Sequence, residues 1–305
     1  MADFKPTMKA LTGVFPVLPT PFDPENQVDE AGLRRLVRYL LHCGVDGLTY
    51  PGVASEVGQL TEPERLRLTA AVLEEVAGRV PVIVGASSGD AKTTIRLALD
   101  AAVRGAAALM VAVPPDRPTS AAQIEYFAEV ANAVPQSALM LQNVPLPVGA
   151  GLEPTALLEV LKAVPAIRYV KEETLPSGQR LSLLRAQAPA SLLGVSGGAG
   201  GRYITDELRR GAAGTMPAIE LAEVHVALFK AHRAGDTERA CALFTRMLPV
   251  LNVQAVFRWA LTKHVLHRRL RLGPAARHVG RARYPGARIC RTRPLGDQVR
   301  GRGLA

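Results

Sequence analysis

A chain of 305 residues is long enough for one large domain or two of ordinary size, and its 48% apolar content is ample for a core. The net charge of +10 suggests a polyanionic partner until it is located: residues 265–305 hold eleven arginines, no lysine and one acid, Asp297, or 11 − 1 = +10. The other 264 residues carry 37 − 11 = 26 basic and 27 − 1 = 26 acidic side chains, so the body is neutral, and its charge argues against a nucleic-acid partner.

Short apolar runs alternate with helical patterns along most of the chain. Strands are predicted at 13–19 (GVFPVLP), 47–50, 81–85, 108–113, 138–143 (ALMLQN), 167–171 (IRYVK), 192–197 and 214–216. The first helix, 29–43, begins with an N-cap aspartate, Asp29, and puts Leu33, Leu36, Val37, Leu40 and Leu41 on one face. The second, 61–78, opens with a capping box formed by Thr61 and Glu64 and stops at Gly78. Further helices are expected at 89–104, 120–134, 153–162, 176–188, 200–210 and 217–234, then at 236–250 and 253–269.

Eight strand–helix units with continuously apolar strands imply an all-parallel sheet covered by helices. Closing eight such units gives an α/β fold, a (β/α)8 TIM barrel, over residues 1–234, with a C-terminal helical segment at 235–269. A doubly wound open sheet would carry a glycine-rich phosphate turn after its first strand, and PVLPTPFDP is not one. In a barrel, catalytic residues stand at the carboxyl ends of the strands. Thr20, Ser55, Gln142, Asn143, Lys171, Ser196 and Gly197 fall there. A lysine drawn out of water in such a pocket is a nucleophile toward a carbonyl, and the protonated imine it forms acidifies the neighbouring carbon. Exposed backbone N–H groups of a Gly/Ser turn would hold the carboxylate of a 2-oxo acid.

The segments GVFPVLPTPF, GVDGLTYPGVASE, LTEPER, RVPVIVG, LQNVP and YVKEE resemble, in order and spacing, the pyruvate-dependent class I aldolases, the family of dihydrodipicolinate synthase and N-acetylneuraminate lyase. The resemblance spans about residues 10–265. It implies a Schiff base on Lys171, a 2-oxo acid substrate, no cofactor, no metal and a homo-oligomer, in much of the family a tetramer. It also implies that Ala54 and Ser55 hold the substrate carboxylate and that the region after strand 7, with Gly197 and Gly198, contacts substrate, beside Thr20 at the end of strand 1. Two departures bear on the reaction. The synthase and lyase carry two hydroxyl residues in the turn after strand 2, where this chain reads Gly52-Val53-Ala54-Ser55-Glu56. They also carry a proton-relaying tyrosine where this chain has Gln142, whose amide is neither acid nor base at neutral pH.

The chain is in these respects more similar to the L-2-keto-3-deoxyarabonate dehydratase branch. That branch implies a dehydratase acting on a 2-keto-3-deoxy sugar acid. Strand alternation puts Glu173 on the face of Lys171, where its carboxylate could move the proton that Gln142 cannot; a salt bridge holding the loop is the competing role. An aldolase releasing pyruvate from a similar acid is the alternative activity, and a non-catalytic 2-oxo-acid-binding protein is the alternative of another class.

The remaining motifs carry less. The glycines at 197, 198, 200 and 201 precede a helix but lack the Gly-Lys-Ser/Thr end of a P-loop. Six histidines sit at no metal-ligand spacing, and Trp259 reads as packing with Phe257 and Leu261. Cys43, Cys241 and Cys290 form neither a disulfide framework nor a metal pattern. With no run of eighteen apolar residues and no signal-peptide core at the start, a cytoplasmic protein off the membrane is expected. Residues 270–305 lose apolar periodicity and are rich in Arg, Gly, Pro and Ala. They read as a frameshift product or disordered end, with a basic nucleic-acid-binding tail as the functional alternative; only Tyr284 could stack on a base.

Overall fold

The computed structural model describes residues 10–117 and 119–270; the arginine-rich tail from residue 271, with His278, Tyr284 and Cys290, lies outside the described residues. Eight parallel strands form one sheet: β1 (Gly13–Val14), β2 (Leu48–Thr49), β3 (Val82–Gly85), β4 (Ala108–Ala112), β5 (Leu139–Asn143), β6 (Ile167–Glu172), β7 (Gly194–Gly197) and β8 (Gly214–Thr215). Their order is β1-β8-β7-β6-β5-β4-β3-β2. The ring closes between its two end strands through the parallel bridge Val17–Thr49 and the bonds Thr49 N–H to Pro16 O and Leu18 N–H to Thr49 O, both 3.0 Å. This is the (β/α)8 barrel that the strand–helix alternation predicts. The first strand is shorter than its 13–19 pattern because Pro16 and Pro19 have no N–H for a ladder.

Eight helices surround the strands: α1 (Glu30–Cys43), α2 (Glu62–Val76), α3 (Ala91–Val103), α4 (Ser120–Ala133), α5 (Pro154–Ala163), α6 (Ser177–Gln187), α7 (Ile204–Arg209) and α8 (Ala222–Arg233). Asp29 caps α1 by accepting from Gly32 N–H, and Thr61 with Glu64 closes a capping box on α2, as their spacing predicts. Helix α7 starts later than its pattern because Gly200 and Gly201 take φ of 70° and 82°, outside the helical region. Helix α8 also starts later, because Ala218 bridges to Val17 before the chain can turn.

Side chains sort by strand alternation into two layers. Leu33, Leu36, Leu68, Leu141 and Val170 pack between strands and helices, whereas Phe15, Val17, Ile83, Met110, Met140, Tyr169 and Met216 fill the barrel interior. Met140 and Tyr169 point inward, so Gln142 and Lys171, two residues on, do the same. Glu172 points outward into the helix layer, and Glu173 returns to the inside.

Two more helices follow, α9 (Thr237–Phe257) and α10 (Trp259–Leu270). The sequence places a break near 250–253, but α9 runs through Pro249 and ends only where Arg258 takes φ 48°, ψ −129°. Leu251 and Gln254 are buried in this continuation, and that burial offsets the hydrogen bond lost at the proline. Over eighteen residues of α9 the mean hydropathy is 1.4, within the range of a membrane span, with 22% of that stretch buried. The helix packs along α8, with Ala240, Met247 and Leu251 covered. Helix α10 is tied to the barrel by an ion pair of Lys263 with Glu56 and a 2.9 Å bond from Thr262 Oγ1 to Glu220 Oε2.

Candidate active site

Strands β5, β6 and β7 bring the predicted residues into register: Gln142 lies beside Lys171, and Lys171 beside Ser196. Lys171 is 4% exposed. Its Nζ is 3.2 Å from Oε2 of Glu173, the residue two further on and on the same face. The same carboxylate oxygen accepts from Nε2 of Gln142 at 2.6 Å, and Oε1 accepts from the backbone N–H of Ala199 at 3.2 Å. Burial pushes the Glu173 carboxyl up, but the Lys171 charge and these hydrogen bonds outweigh it and hold the group below the ordinary carboxylate value. It is therefore ionised at neutral pH. The Gln142 amide, neither acid nor base at neutral pH, holds this carboxylate in place through its hydrogen bond.

The loop after β7 fits around this carboxylate. A Cβ on Gly198 would lie 2.5 Å from both Cγ and Oε1 of Glu173, so only glycine admits that rotamer. Ala199 takes φ 50°, rare for a residue with a side chain, and it aims its N–H at Glu173. Gly197 is buried, with Glu207 packed directly against its Cα.

The adjacent residue has a separate task. Glu172 is 1% exposed, accepts from Asn143 Nδ2 at 3.0 and 3.2 Å and from Thr174 N–H at 2.8 Å, and lies 3.5 Å from Arg180 Nε. Burial raises its pKa, against the opposing pull of Asn143 and Arg180. Asn143 in turn pairs its amide with both backbone groups of Leu152. This outward network fixes the loop between β5 and α5 and leaves the inward face to Lys171 and Glu173.

The turn after β2 is a short 3-10 turn, Val53–Ser55. Thr20 donates to the carbonyl of Ser55 at 2.7 Å and meets the Tyr50 hydroxyl at 3.0 Å, which pins the turn to the segment that follows β1. The Ser55 hydroxyl is fully buried: it donates to Leu18 O at 2.5 Å and accepts from Gly52 N–H at 2.9 Å, and Ser55 N–H donates to Gly52 O. Ser55 therefore holds the shape of the turn, while Val53 and Ala54 face the cavity. The N–H groups of Val53 and Ala54 meet no acceptor among the described residues.

Lys171, Glu173, Val53, Ala54 and Ala199 line a cavity of about 150 Å³. Four polar or aromatic lining residues were not assigned to the site from the sequence: Arg202, Gln254, Arg258 and Trp259. Trp259, expected to pack in a helix, instead faces the cavity, with the Arg258 guanidinium 5.7 Å from its ring centre. Gln254 is the acceptor for Arg202 Nη1 at 2.8 Å. No local pattern marks these residues; they reach the site because α9 and α10 fold back over the strand ends. Among the described residues no three His, Cys, Asp or Glu side chains come together as a metal site.

Fold and site define a parallel (β/α)8 barrel with an amine–carboxylate pair buried at the carboxyl end of its strands, the end at which such barrels do chemistry. The dihydrodipicolinate synthetase family matches residues 10–267, and the chain belongs to that family. It is 32% identical over 251 residues to the 4-hydroxy-tetrahydrodipicolinate synthase of Methanopyrus kandleri, covering 79% of this chain and 80% of that one. It is 31% identical over 245 residues to the L-2-keto-3-deoxyarabonate dehydratase of Azospirillum brasilense, covering 79% and 78%. Among solved structures, dihydrodipicolinate synthase from Rhodopseudomonas palustris superposes with a TM-score of 0.81 at 27% identity over 89% of this chain and 92% of that one. A prophage protein of the family from E. coli K12, solved in complex with pyruvate, gives 0.78 at 25% identity over 89% and 94%.

Proposed function

We propose that the protein is a Schiff-base lyase that dehydrates a 2-keto-3-deoxy sugar acid. The observation that carries this reading is the Lys171–Glu173 pair held by Gln142: a nucleophile and an ionised base 3.2 Å apart, with an amide where a proton-relaying side chain would serve carbon–carbon condensation. Glu173 takes a proton from the Lys171 ammonium, and the free amine adds to the C2 carbonyl of the substrate. Glu173 returns that proton to the C2 hydroxyl of the carbinolamine, which leaves as water and gives the iminium, and the iminium acidifies C3. Glu173 removes the C3 proton, the electron pair moves toward the iminium nitrogen, and the C4–oxygen bond breaks with protonation of the leaving hydroxyl. Water then hydrolyses the imine, releasing the product and freeing Lys171, so the net change is the loss of one water. The carboxylate of C1 lies at the N–H groups of Val53 and Ala54, in a turn whose shape Ser55 and Thr20 maintain. The pyruvate held by the E. coli relative and the dehydratase activity in the name of the Azospirillum relative both agree with this reading.

In a second reading the same iminium drives cleavage of the C3–C4 bond to pyruvate and an aldehyde; the synthases among the relatives agree with this reading only in belonging to the same family. Product analysis separates the two, since a dehydratase keeps all carbons in one product. Any turnover excludes a purely binding role. The decisive first experiment is borohydride reduction in the presence of pyruvate, read by intact mass. The wild type gains one covalent adduct and Lys171→Ala gains none; an adduct on the variant would overturn the assignment. The oligomeric state that fits the family reading is a homotetramer, which light scattering checks.

A further inference from the structure

The charges that line the cavity do not balance for a substrate with one acidic group. Lys171, Arg202 and Arg258 contribute three positive charges and Glu173 one negative charge, a surplus of two. When Lys171 becomes an iminium it keeps its charge, and the C1 carboxylate cancels one unit. One positive charge remains, and it belongs to the arginines. Arg202 Nη1 is held at 2.8 Å by the oxygen of Gln254, a neutral partner, and the Arg258 guanidinium lies 5.7 Å from the ring centre of Trp259. Among the described residues neither guanidinium has a carboxylate within ion-pair distance, and Glu220 acts on Arg202 only through space.

Position matters as much as charge. A substrate bonded at C2 to Lys171, with C1 at the Val53–Ala54 turn, has C3 at Glu173 and must run its remaining carbons away from the strand ends. The residues that close the cavity in that direction come from the loop after β7 and from the junction of α9 and α10: Arg202, Gln254, Arg258 and Trp259. With its oxygen taken by Arg202, Gln254 has its NH2 left to donate. Three donor-bearing side chains thus line the part of the cavity where the tail of the substrate ends, and a planar guanidinium is the side chain best matched to a carboxylate. A neutral hydroxymethyl tail would leave Arg202 with only the through-space pull of Glu220 and exposed Arg258 with only water.

We infer that Arg202, Arg258 and Gln254 form a subsite for a second acidic group, so that the substrate is a 2-oxo diacid: a 2-keto-3-deoxy sugar acid whose far end is a carboxylate. This inference rests on the Schiff-base reading, and the test separates the two. Half-saturating concentrations for borohydride trapping are measured on the purified full-length protein with pyruvate, with 2-oxopentanoate against 2-oxoglutarate, and with 2-oxohexanoate against 2-oxoadipate. The terminal carboxylate should lower the half-saturating concentration about ten- to hundredfold in at least one pair, the range of a charge-assisted hydrogen bond. In Arg202→Gln and Arg258→Gln, read as the diacid-to-monoacid ratio within each variant, that preference should shrink toward one. A phosphorylated acid, 2-keto-3-deoxy-6-phosphogluconate, is the third arm: tighter trapping than either diacid keeps the anion subsite and assigns it to phosphate. Pyruvate adducts on Lys171 together with equal trapping of diacids and monoacids by the wild type would overturn the subsite and leave the Schiff-base reading standing. No adduct with any acid would overturn both. The wild-type ratios decide the matter even if a variant fails to fold.

Discussion

Glu207 gives a prediction whose size follows from its surroundings. It sits on α7, 1% exposed, with Oε1 accepting from Ser177 Oγ at 2.7 Å and Oε2 without a hydrogen-bond partner among the described residues, against Gly197. Burial pushes its pKa to about 7; the Ser177 bond opposes this, and the charges of Asp206, Glu173 and Glu172 add to it. In the unfolded chain the carboxyl has its ordinary value of 4.5. Between these values the unfolded chain has released a proton that the folded protein still holds. Rising pH therefore destabilises the fold through this group across pH 4.5 to 7, and the penalty is constant above that window. At 1.36 kcal/mol per unit the full penalty is about 3.4 kcal/mol, of which about 2.5 falls between pH 5 and pH 8. Glu207→Gln keeps an acceptor for Ser177 and removes the titration. Urea unfolding at the two pH values should show the variant gaining about 2.5 kcal/mol on the wild type as pH rises from 5 to 8. Stability curves for the two proteins that stay parallel across this range would refute the account of a buried, protonated carboxyl.

Glu173→Gln should trap pyruvate on Lys171 more slowly but to the same adduct mass, because the ammonium must then lose its proton to water, and should lose about 10²–10⁴ in turnover, with solvent deuterium no longer entering C3 of a bound 2-oxo acid; a variant that keeps its exchange rate would reduce Glu173 to a structural partner of Lys171. Gly198→Ala places a methyl 2.5 Å from Glu173 Cγ and Oε1 and must displace that carboxylate; kcat should fall at least about tenfold while thermal melting shows a folded protein, and an unchanged kcat would show that the geometry of Glu173 is not limiting. Ser55→Ala leaves the buried Leu18 carbonyl and Gly52 N–H without a partner, so the expected loss is about 1–3 kcal/mol of stability in denaturant unfolding. If its main effect is instead on the half-saturating concentration of pyruvate, the hydroxyl contacts substrate after all.

Two periodicities made the inner half of the site legible in the sequence. Alternating apolar strands and amphipathic helices specify eight strand–helix units, because each element must bury one face and the connections are short. The period of two along β6 then sets Lys171 and Glu173 on one face and Glu172 on the other, a steric property of an extended chain that holds whatever surrounds it. Gln142 follows by the same rule on β5. The Ser55 hydroxyl was not decided this way: which of its neighbours it bonds depends on how the segment after β1 lies against the turn, and there Leu18 O, 37 residues earlier, accepts its hydrogen bond. The outer half of the site was decided by tertiary structure alone. Arg202, Gln254, Arg258 and Trp259 have no common period, and the helical pattern around 250–253 gives no reason to carry α9 on to Phe257. They meet because Lys263 pairs with Glu56 and Thr262 with Glu220, which seats α10 over the strand ends and turns the chain at Arg258 into the cavity mouth. Local sequence sets which face a side chain takes; contacts between residues about 40 to 200 positions apart set which faces share a cavity.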